Sequence, residues 1–431
     1  MRKITTKNIK NFPKLKEQLL SWAQQYDEVV WLDSNNYEQK YADFDAVLAV
    51  DAFTVLQTDY VDAFDKLKEY QSITKDWLFG YLSYDLKNDT ENLVSQNPDH
   101  LLFPELFFFQ PKKLFLLKQN EIELHYLYAV DDEIEDDWQE ILNSYTSFSE
   151  ESSEVKIKLK ITKDSYFEKF QKIINHINRG DIYEMNFCQE FFAENTTINP
   201  LQVYQKLNNI SNSPFATFLK VSNKFLLSAS PERYIKKSGT QIVSQPIKGT
   251  AKRSTNKEED EKLKYDLEHD QKERSENIMI VDLVRNDLSK TALKGSVQVP
   301  ELCKIYTFDQ VHQMISTITS KVAHTKSPVE VLRTTYPMGS MTGAPKVSAM
   351  KIIEEVEESK RGLYSGSVGY FTPDNDFDFN VVIRSILYNE TNKYVSYSVG
   401  GAITAKAKAE AEYEECLLKA KAMREALLNK G

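Results

Sequence analysis

The chain has 431 residues and a formal net charge of −10; 41% of its residues are hydrophobic and 27% are charged. This composition supports a sizeable core, and a length prior of roughly 150 residues per domain favours two units. The acidic balance argues against a nucleic-acid groove, so an anionic substrate would need a bound cation or a few placed basic side chains.

The first 130 residues are predicted to form short strands and one early helix, the helix around LKEQLLSWAQQY. The predicted strands are VVWLDS, AVLAVDAF, DWLFGYLSYDL, KLFLLKQ and IELHYLYAV. The acidic, serine-rich stretch DDEIEDDWQEILNSYTSFSEESSEV then indicates a solvated connector with a helical first half. We therefore expect an N-terminal region over residues 1–150, connector included, and a second region over residues 160–425.

The second region begins with a helix in TKDSYFEKFQKIINHINRGD, which starts at a Thr/Ser cap and stops at Gly180. The runs ATFLKV, KFLLSAS, RYIKKSG and TQIVSQPI then predict an antiparallel meander. The remaining predicted elements are a long charged helix (KEEDEKLKYDLEHDQKERSENIMIVDLVRNDL), a helix over about 345–359, strands in DFNVVIRSILYN and YVSYSVGGAI, and a terminal helix over about 408–428. Because strands and helices do not alternate one for one, the expected fold class is α+β, a sandwich of antiparallel sheets flanked by helices.

Cysteine usage and hydropathy bear on the compartment. Cys188, Cys303 and Cys416 lie far apart and form no CxxC pair, so neither a disulfide framework nor a zinc site is predicted. The N-terminus has no apolar signal region, and the densest apolar run, LLFPELFFF, is too short to span a bilayer. We expect a cytoplasmic protein without membrane or nucleic-acid partners.

Several polar residues stand in otherwise structural patterns. Glu412, Glu415 and Lys419 share one face of the terminal helix, which suits either a solvated salt-bridging face or a hard divalent cation. Glu276 precedes an apolar helical stretch that polar residues interrupt, beginning with Asp282, and local pairing of Asp282 with Arg285 is the bland alternative.

Two further segments are suggestive. The segment GSMTGAPK fails as a phosphate loop because Pro345 removes an amide, although Ser340 and Gly343 before a helix still suit a carboxylate. Lys248 ends a strand-like run beside Gly249, and its amine either extends to water or acts in a site.

Six segments, in order, resemble the chorismate-utilising enzymes, a family that includes component I of anthranilate synthase and of aminodeoxychorismate synthase, and the isochorismate and salicylate synthases. The segments are SASPERY, PIKGT, ENIMIVDLVRNDL, GSMTGAPK, RGLYSGSVGY and YEECLLKA. The resemblance is strong over about 160–425 and looser over 1–130, where WLDS and WLFGYLSYDL carry it. It implies the anthranilate-synthase component I-like fold.

The resemblance also implies a site. A magnesium ion would be held by Glu276, Glu412 and Glu415 and would bind the ring carboxylate of chorismate. Glu232 matches the general acid, whose pKa should be raised by burial or by neighbours. The implied substrate-binding positions are Tyr364 and Arg384 for the enolpyruvyl carboxylate, the backbone near Gly400 and Gly401, and, elsewhere in the pocket, Ser340 and Lys419.

Lys248 is implied to be the nucleophile, because the family members that place nitrogen para to the carboxyl group carry PIKGT, whereas anthranilate synthases carry PIAGT. The implied reaction converts chorismate and ammonia to 4-amino-4-deoxychorismate through a covalent lysine adduct, a transaminase-class step towards p-aminobenzoate and folate. Ammonia would come from a separate glutamine amidotransferase subunit, and no fused lyase domain is expected. The alternatives are an anthranilate synthase component I and a non-catalytic regulatory subunit that binds an amino acid such as tryptophan at WLDS.

Two positions depart from the family pattern. Glu184 stands where ammonia-using members have glutamine and where water-using members have a base lysine, which argues against isochorismate and salicylate synthesis. Gln313 replaces a family histidine, and the adjacent His312 should point to the other face of the strand.

Overall fold

The structure is a computed structural model, and it describes residues 1–37, 40–145, 155–308 and 311–428. The helices in these ranges are α1 Phe12–Ala23, α2 Ala63–Thr74, α3 Lys87–Thr90, α4 Ile134–Asn143, α5 Lys163–Arg179, α6 Pro200–Ser211, α7 Lys257–His269, α8 Gln271–Ser289, α9 Pro328–Thr335, α10 Lys346–Val356 and α11 Ala409–Leu427.

The strands all pair antiparallel. They are β1 Arg2–Asn8, β2 Glu28–Asp33, β3 Ala46–Thr58, β4 Leu78–Leu82, β5 Leu106–Lys118, β6 Glu121–Leu127, β7 Lys158–Leu159, β8 Glu184–Ala193, β9 Phe215–Val221, β10 Lys224–Ser230, β11 Arg233–Ser238, β12 Gln241–Gln245, β13 Ile247–Lys252, β14 Gln298–Thr307, β15 Val311–Lys321, β16 Gly343–Ala344, β17 Ser367–Phe371, β18 Phe377–Val381, β19 Ser385–Asn389 and β20 Tyr394–Thr404.

The strands form two sheets that meet at β5. One sheet runs β1–β6–β5–β3–β2–β9–β10–β19–β20–β8, with β7 and β16 on β8, and the other runs β5–β4–β17–β18–β11–β12–β15, with β13 and β14 on β15. Strands from the first 130 residues therefore pair directly with strands from the second half of the chain, β2 with β9 and β4 with β17.

Strand alternation explains how the core is divided. On β2, Val29 and Trp31 pack into one apolar cluster with α1, α5, α6 and α11, whereas Val30 packs into a second cluster that fills the space between the two sheets. Helix α8 contributes Ile280 and Val284 to the second cluster. The expected α+β sandwich of antiparallel sheets flanked by helices is confirmed.

Most of the predicted elements are present, including the early helix, the meander and the terminal helix. Thr162 caps α5 by accepting a hydrogen bond from the Ser165 amide, and the helix ends at Gly180, whose φ of 84° is in the left-handed region. The predicted helical first half of the acidic connector is α4, and residues 146–154 of the connector lie outside the described residues. Sequence reasoning missed β1 and α2, so the expectation of one early helix is wrong.

Two predicted elements are each divided in two. The long charged helix breaks between α7 and α8 at Asp270, whose extended backbone and side chain cap the second helix. The strand predicted in DFNVVIRSILYN is β18 and β19, separated at Arg384, which has a φ of 51°, uncommon for a residue other than glycine. In both places a single residue with non-regular backbone overrides a continuous pattern of propensity.

No helix among the residues placed by the structure combines the length and the apolar content needed to cross a bilayer.

The Asp270 cap is open to a direct test. Its carboxylate accepts hydrogen bonds from the amides of Lys272 at 2.8 Å and Glu273 at 3.0 Å. We expect Asp270→Ala to lower the free energy of unfolding by about 1 kcal/mol in urea titrations, because the first turn of α8 loses its acceptor. Asp270→Asn keeps an acceptor and should lose much less; equal losses in the two variants would contradict the capping role.

Candidate functional site

Lys248 lies in an irregular part of β13. The pairing of β13 with β15 shifts register between Ile247 and Thr250, so Lys248 and Gly249 fall in a bulge-like irregularity, a feature that redirects side chains next to functional sites. Gly249 has a φ of 89°, and a Cβ there would stand 3.1 Å from Glu273 Oε2. The glycine thus permits both the backbone bend and the close approach of α8.

The Lys248 ammonium is half-buried and makes no hydrogen bond or ion pair with any described residue. Its charge nevertheless acts on five carboxyl groups from four parts of the chain. Burial raises the pKa of four of these groups, and the charge of Lys248 opposes that rise; the four are Glu184, Glu232, Glu273 and Glu276. The fifth group is Glu415, whose pKa is lowered in part by the charge of Lys248. The half-buried lysine is therefore close enough to a set of acidic groups for its charge to act on all five.

Glu232 is a buried acid of this ring and lies in the segment that follows β10. It is 5% exposed, and burial raises its pKa to about 7, against a hydrogen bond from the Ser340 hydroxyl and the charge of Lys248. Ser340 is itself buried in the turn before β16. A carboxyl group with this pKa carries a proton for part of the time at neutral pH and can donate it.

Helices α8 and α11 carry the three predicted metal-binding carboxylates, and the charges of all three act on the Lys272 ammonium. Glu276 and Glu412 are buried, and the Lys272 ammonium lies between them, 3.0 Å from Glu412 Oε1 and 3.9 Å from Glu276 Oε1. Burial raises the pKa of Glu276 to about 7. Burial would also raise the pKa of Glu415, but the charges of Lys419, 2.7 Å away, Lys272 and Lys248 hold it below its usual value.

These carboxylates fit a hard cation. No group of three or more potential ligands within the described ranges is already arranged around a common point. However, the Lys272 ammonium lies between two of the carboxylates as a cation would, its side chain is 40% exposed, and Glu276 Oε1 is buried without a hydrogen bond. An all-oxygen donor set is the set that magnesium prefers, so displacement of Lys272 towards solvent would leave a suitable site.

A second polar centre lies at Arg384 and Tyr364. The Arg384 guanidinium has no hydrogen-bond or ion-pair partner in the described part of the chain, and burial lowers its pKa, while Tyr364 and Glu415 act in the other direction. The Tyr364 hydroxyl donates to Cys188 Sγ at 3.6 Å. A half-buried cation without a partner is unfavourable unless an anion joins it, so this pair suits a carboxylate ligand.

The two glycines on β20 serve close approach. A Cβ at Gly400 would lie 2.3 Å from the Phe187 carbonyl oxygen, and the Gly400 carbonyl accepts from Lys419 Nζ at 2.9 Å. A Cβ at Gly401 would stand 3.4 Å from Glu412 Oε2. The predicted positions Gly400, Gly401 and Lys419 are therefore adjacent to the α11 carboxylates.

Two of the remaining polar residues, His312 and Asp282, have structural partners. His312 points away from Gln313, with its Nε2 3.1 Å from Asp260 Oδ1 and its Nδ1 3.0 Å from Thr307 Oγ1. Asp282 pairs locally with Arg285 on the exposed face of α8 at 2.8 Å, the bland alternative of the sequence analysis.

Sequence reasoning missed Lys272, Glu273 and Cys188 as neighbours of the site. The spacing of Lys272 and Glu276, one helical turn apart, could have indicated the first. Elsewhere in the fold, the WLDS segment borders a separate cleft whose lining includes Ser34, Phe44 and Tyr370.

Comparison with known proteins identifies the class. Residues 27–425 match the chorismate binding enzyme family, and the chain belongs to that family. The fold is that of the anthranilate synthase component I from Streptococcus pneumoniae TIGR4, with a TM-score of 0.78 at 24% identity over 90% of this chain and 93% of that one.

The curated relatives include proteins named for two different activities. The chain is 39% identical to aminodeoxychorismate synthase component 1 of Escherichia coli K12 over 255 residues, 59% of this chain and 56% of that protein. It is 32% identical to anthranilate synthase component 1 of Acetivibrio thermocellus over 373 residues, 82% of this chain and 75% of that protein. The chain spans about half the length of the first curated relatives it matches, 46% and 56%.

The raised pKa of Glu232 makes stability depend on pH. In the folded protein this pKa is about 7, above the ordinary 4.5, so stability that is present below pH 4.5 is lost as the pH rises through 7. We expect Glu232→Gln to gain about 3 kcal/mol of unfolding free energy relative to the wild type between pH 5 and pH 9, because the amide never ionises.

Urea titrations at the two pH values measure this difference. Glu190→Gln, on β8 and hydrogen-bonded to the Tyr394 hydroxyl at 3.0 Å, is the control and should show no such trend. A Glu232→Gln effect that is the same at pH 5 and pH 9 would refute the buried, proton-holding carboxyl.

Proposed function

We propose that this chain is the chorismate-aminating component I of an aminodeoxychorismate synthase. It converts chorismate and ammonia to 4-amino-4-deoxychorismate, a transaminase-class step towards p-aminobenzoate and folate. The observation that carries the proposal is the amine of Lys248, unpaired and facing both the proton-holding Glu232 and the α8 and α11 carboxylates. A strand-end lysine with a structural role alone would extend into water or form an ion pair.

Substrate binding follows from the two polar centres. The unpaired Arg384 guanidinium and the Tyr364 hydroxyl would hold the enolpyruvyl carboxylate, with the closely approachable backbone at Gly400 and Gly401 beside it. Enzymes of this family use Mg²⁺, and Glu276, Glu412 and Glu415 would hold the ion, which when bound neutralises and orients the ring carboxylate. Lys419 and Ser340 complete the polar lining.

Catalysis would proceed through a covalent adduct. The neutral Lys248 amine adds to ring C2, the ring double bond shifts, and the C4–O bond breaks while Glu232 donates its proton to the departing oxygen, so that water leaves. Ammonia then attacks C4 and expels Lys248 as a neutral amine. The new ammonium returns a proton to Glu232, so the overall change is chorismate plus ammonia to product plus water.

Ammonia would be supplied by a glutamine amidotransferase subunit, component II. The support is the component I numbering of the relatives and the position of this chain in the chorismate-binding family. A chain that uses free ammonia in vitro and gains glutamine-dependent activity only with the second subunit would fit this division of labour.

The competing function is that of an anthranilate synthase component I, since relatives of both kinds match at comparable identity. Lys248 favours the para-aminating reaction, because direct attack of ammonia at C2 requires no lysine at this point. Product analysis with chorismate, ammonium and Mg²⁺ decides between the two, since anthranilate is fluorescent and would overturn the proposal.

Lys248→Ala tests the covalent route. Incubation of wild-type chain with chorismate and Mg²⁺ without ammonia should give a mass gain of chorismate minus water on the peptide that contains Lys248. The variant should give no adduct, and at limiting ammonia its product formation should fall by at least about 100-fold, the low end of what loss of a positioned catalytic group costs.

Lys252→Ala is the matched control for this experiment, because Lys252 is an exposed lysine on the same strand. It should form the adduct at the wild-type rate. Undiminished aminodeoxychorismate formation by Lys248→Ala at limiting ammonia would eliminate the adduct.

Glu412→Gln tests the proposed metal site. Loss of one of three carboxylates should weaken Mg²⁺ binding by at least about tenfold in titration calorimetry, a cost of about 1.4 kcal/mol. Glu414→Gln, on the exposed face of the same helix, should bind Mg²⁺ as the wild type does. Equal Mg²⁺ affinities for the Glu412→Gln variant and the wild type would place the ion elsewhere.

A further inference from the structure

Glu184 is a buried carboxyl group that the reaction described above does not use. It opens β8, where it pairs with Thr404 of β20 and with Ala344 of β16. The residue is 1% exposed, and its Oε2 atom is buried without a hydrogen bond. Glu190 Oε2 on the same strand is also buried without a hydrogen bond, but Glu190 Oε1 accepts one from the Tyr394 hydroxyl, whereas the Glu184 side chain has no hydrogen bond or ion pair among the described residues. A carboxyl group buried with no such partner is costly and points to a function at this place.

Strand geometry places Glu184 on the face of β8 that contacts the Ser340 turn and Tyr364. Side chains two residues apart on a strand share a face, so Glu184, Asn186 and Cys188 point the same way. Asn186 donates a hydrogen bond to the Ser340 carbonyl, and Cys188 accepts one from Tyr364. The face of β8 that carries Glu184 is therefore the face that contacts both the Ser340 turn and the Tyr364 hydroxyl.

Lys248 is the charged group that acts on Glu184. Burial raises the pKa of Glu184, and the positive charge of Lys248 opposes this rise. The negative charge of Glu184 is also one of the influences that raise the pKa of Glu276 on α8. Of the other carboxyl groups on which Lys248 acts, Glu232 is hydrogen-bonded to Ser340, and Glu276 and Glu415 belong to the proposed cation site.

Glu273, the remaining member, lies next to Lys272 on α8, and burial raises its pKa while Lys272 opposes that rise more strongly than Lys248 does. Among the described residues of this ring, Glu184 is thus the carboxyl group that has no hydrogen bond, lies outside the proposed cation site and is influenced by the charge of Lys248 alone. The two groups are not hydrogen-bonded to each other in this structure, so the transfer would pass through a bridging water or follow a rotamer change; catalytic hydrogen bonds often tighten only when substrate binds.

We propose, resting on the function proposed above, that Glu184 is the base that primes Lys248 by accepting the proton its ammonium must lose before the amine can attack chorismate. In this step one N–H bond of the ammonium breaks, its electron pair stays on nitrogen, and an O–H bond forms on Glu184. The pair keeps the same net charge, so the transfer leaves no new net charge among these partly buried groups. Glu184 returns the proton to Lys248 when the product leaves.

This role separates two carboxyl groups by task. Glu232 enters the cycle protonated and donates to the departing 4-hydroxyl oxygen, while Glu184 enters ionised and accepts from Lys248. The glutamine found at this position in other ammonia-using members cannot accept a proton, so the inference concerns how this chain activates its lysine. The chemistry after the C–N bond forms is unchanged.

The pH dependence of adduct formation tests the proposal. Rapid-quench mass spectrometry, with chorismate and Mg²⁺ but no ammonia, measures the rate at which the Lys248 adduct appears. In the wild type this rate rises with pH as Glu184 ionises, because a protonated Glu184 cannot accept. In Glu184→Gln we expect a fall of about 100-fold at pH 7, with activity recovering only in alkaline solution where bulk base removes the proton.

Two further variants separate this role from a structural one. Glu184→Asp keeps a carboxylate and should lower the rate without moving the wild-type pH limb, which also serves if Glu184→Gln does not fold. Glu190→Gln, a buried carboxyl on the same strand, should leave both rate and limb unchanged. The inference is overturned if the rate of adduct formation by Glu184→Gln rises over the same pH range as that of the wild type. It is also overturned if the pH range for Glu184→Asp is displaced as expected for the amide variant.

The outcome is distinguishable from failure of the proposed function. Wild-type chain that makes no aminodeoxychorismate from chorismate and ammonia refutes the function, whatever Glu184 does. Wild-type chain that makes it, together with an unshifted limb in Glu184→Gln, refutes the priming role alone.

Discussion

The electrostatics of the candidate site depend on one positive charge that has no direct ion-pair partner in the part of the chain that the structure describes. The Lys248 ammonium has no ion-pair partner among the described residues, yet it acts on five carboxyl groups that come from β8, the segment after β10, α8 and α11. Desolvation alone would push most of these acids towards their neutral forms, and the lysine opposes it. The balance leaves some acids holding protons near neutrality and others ionised, which is the condition for acid and base chemistry in one pocket.

The fold supplies this balance by bringing distant segments together on rigid elements. The bulge-like shift in β13 aims Lys248, the left-handed backbone of Arg384 sits where β18 gives way to β19, and the cap at Asp270 starts the helix that carries Lys272 and Glu276. Each of these positions interrupts regular structure. Interruptions held by neighbouring sheets and helices are where functional side chains are commonly placed.

The features of the fold and the site that could be predicted from the sequence are those that are encoded by residues close together in the chain. The α+β class, the meander and the capped helix α5 follow from periodicity and turn residues, and the ordered motifs indicated the family, which the match over residues 27–425 bears out. The breaks at Asp270 and Arg384 did not follow, because capping and a left-handed backbone depend on what packs around them. Lys272 was also missed as a site neighbour: its spacing from Glu276 was readable, but its ion pair with Glu412 depends on α11, which lies far away in the chain.

The sheet order also bears on how the chain reaches its native state. β2 needs β9 along one edge, and β4 needs β17, a strand that follows it much later in the chain. Until those late segments emerge from the ribosome, apolar strands from the first 130 residues present unpaired edges, the kind of surface on which chains associate. Such distant pairings also slow folding, because long loops must close before the contacts form. Chaperone assistance during translation would therefore matter more for this protein than its many short, local hairpins alone would indicate.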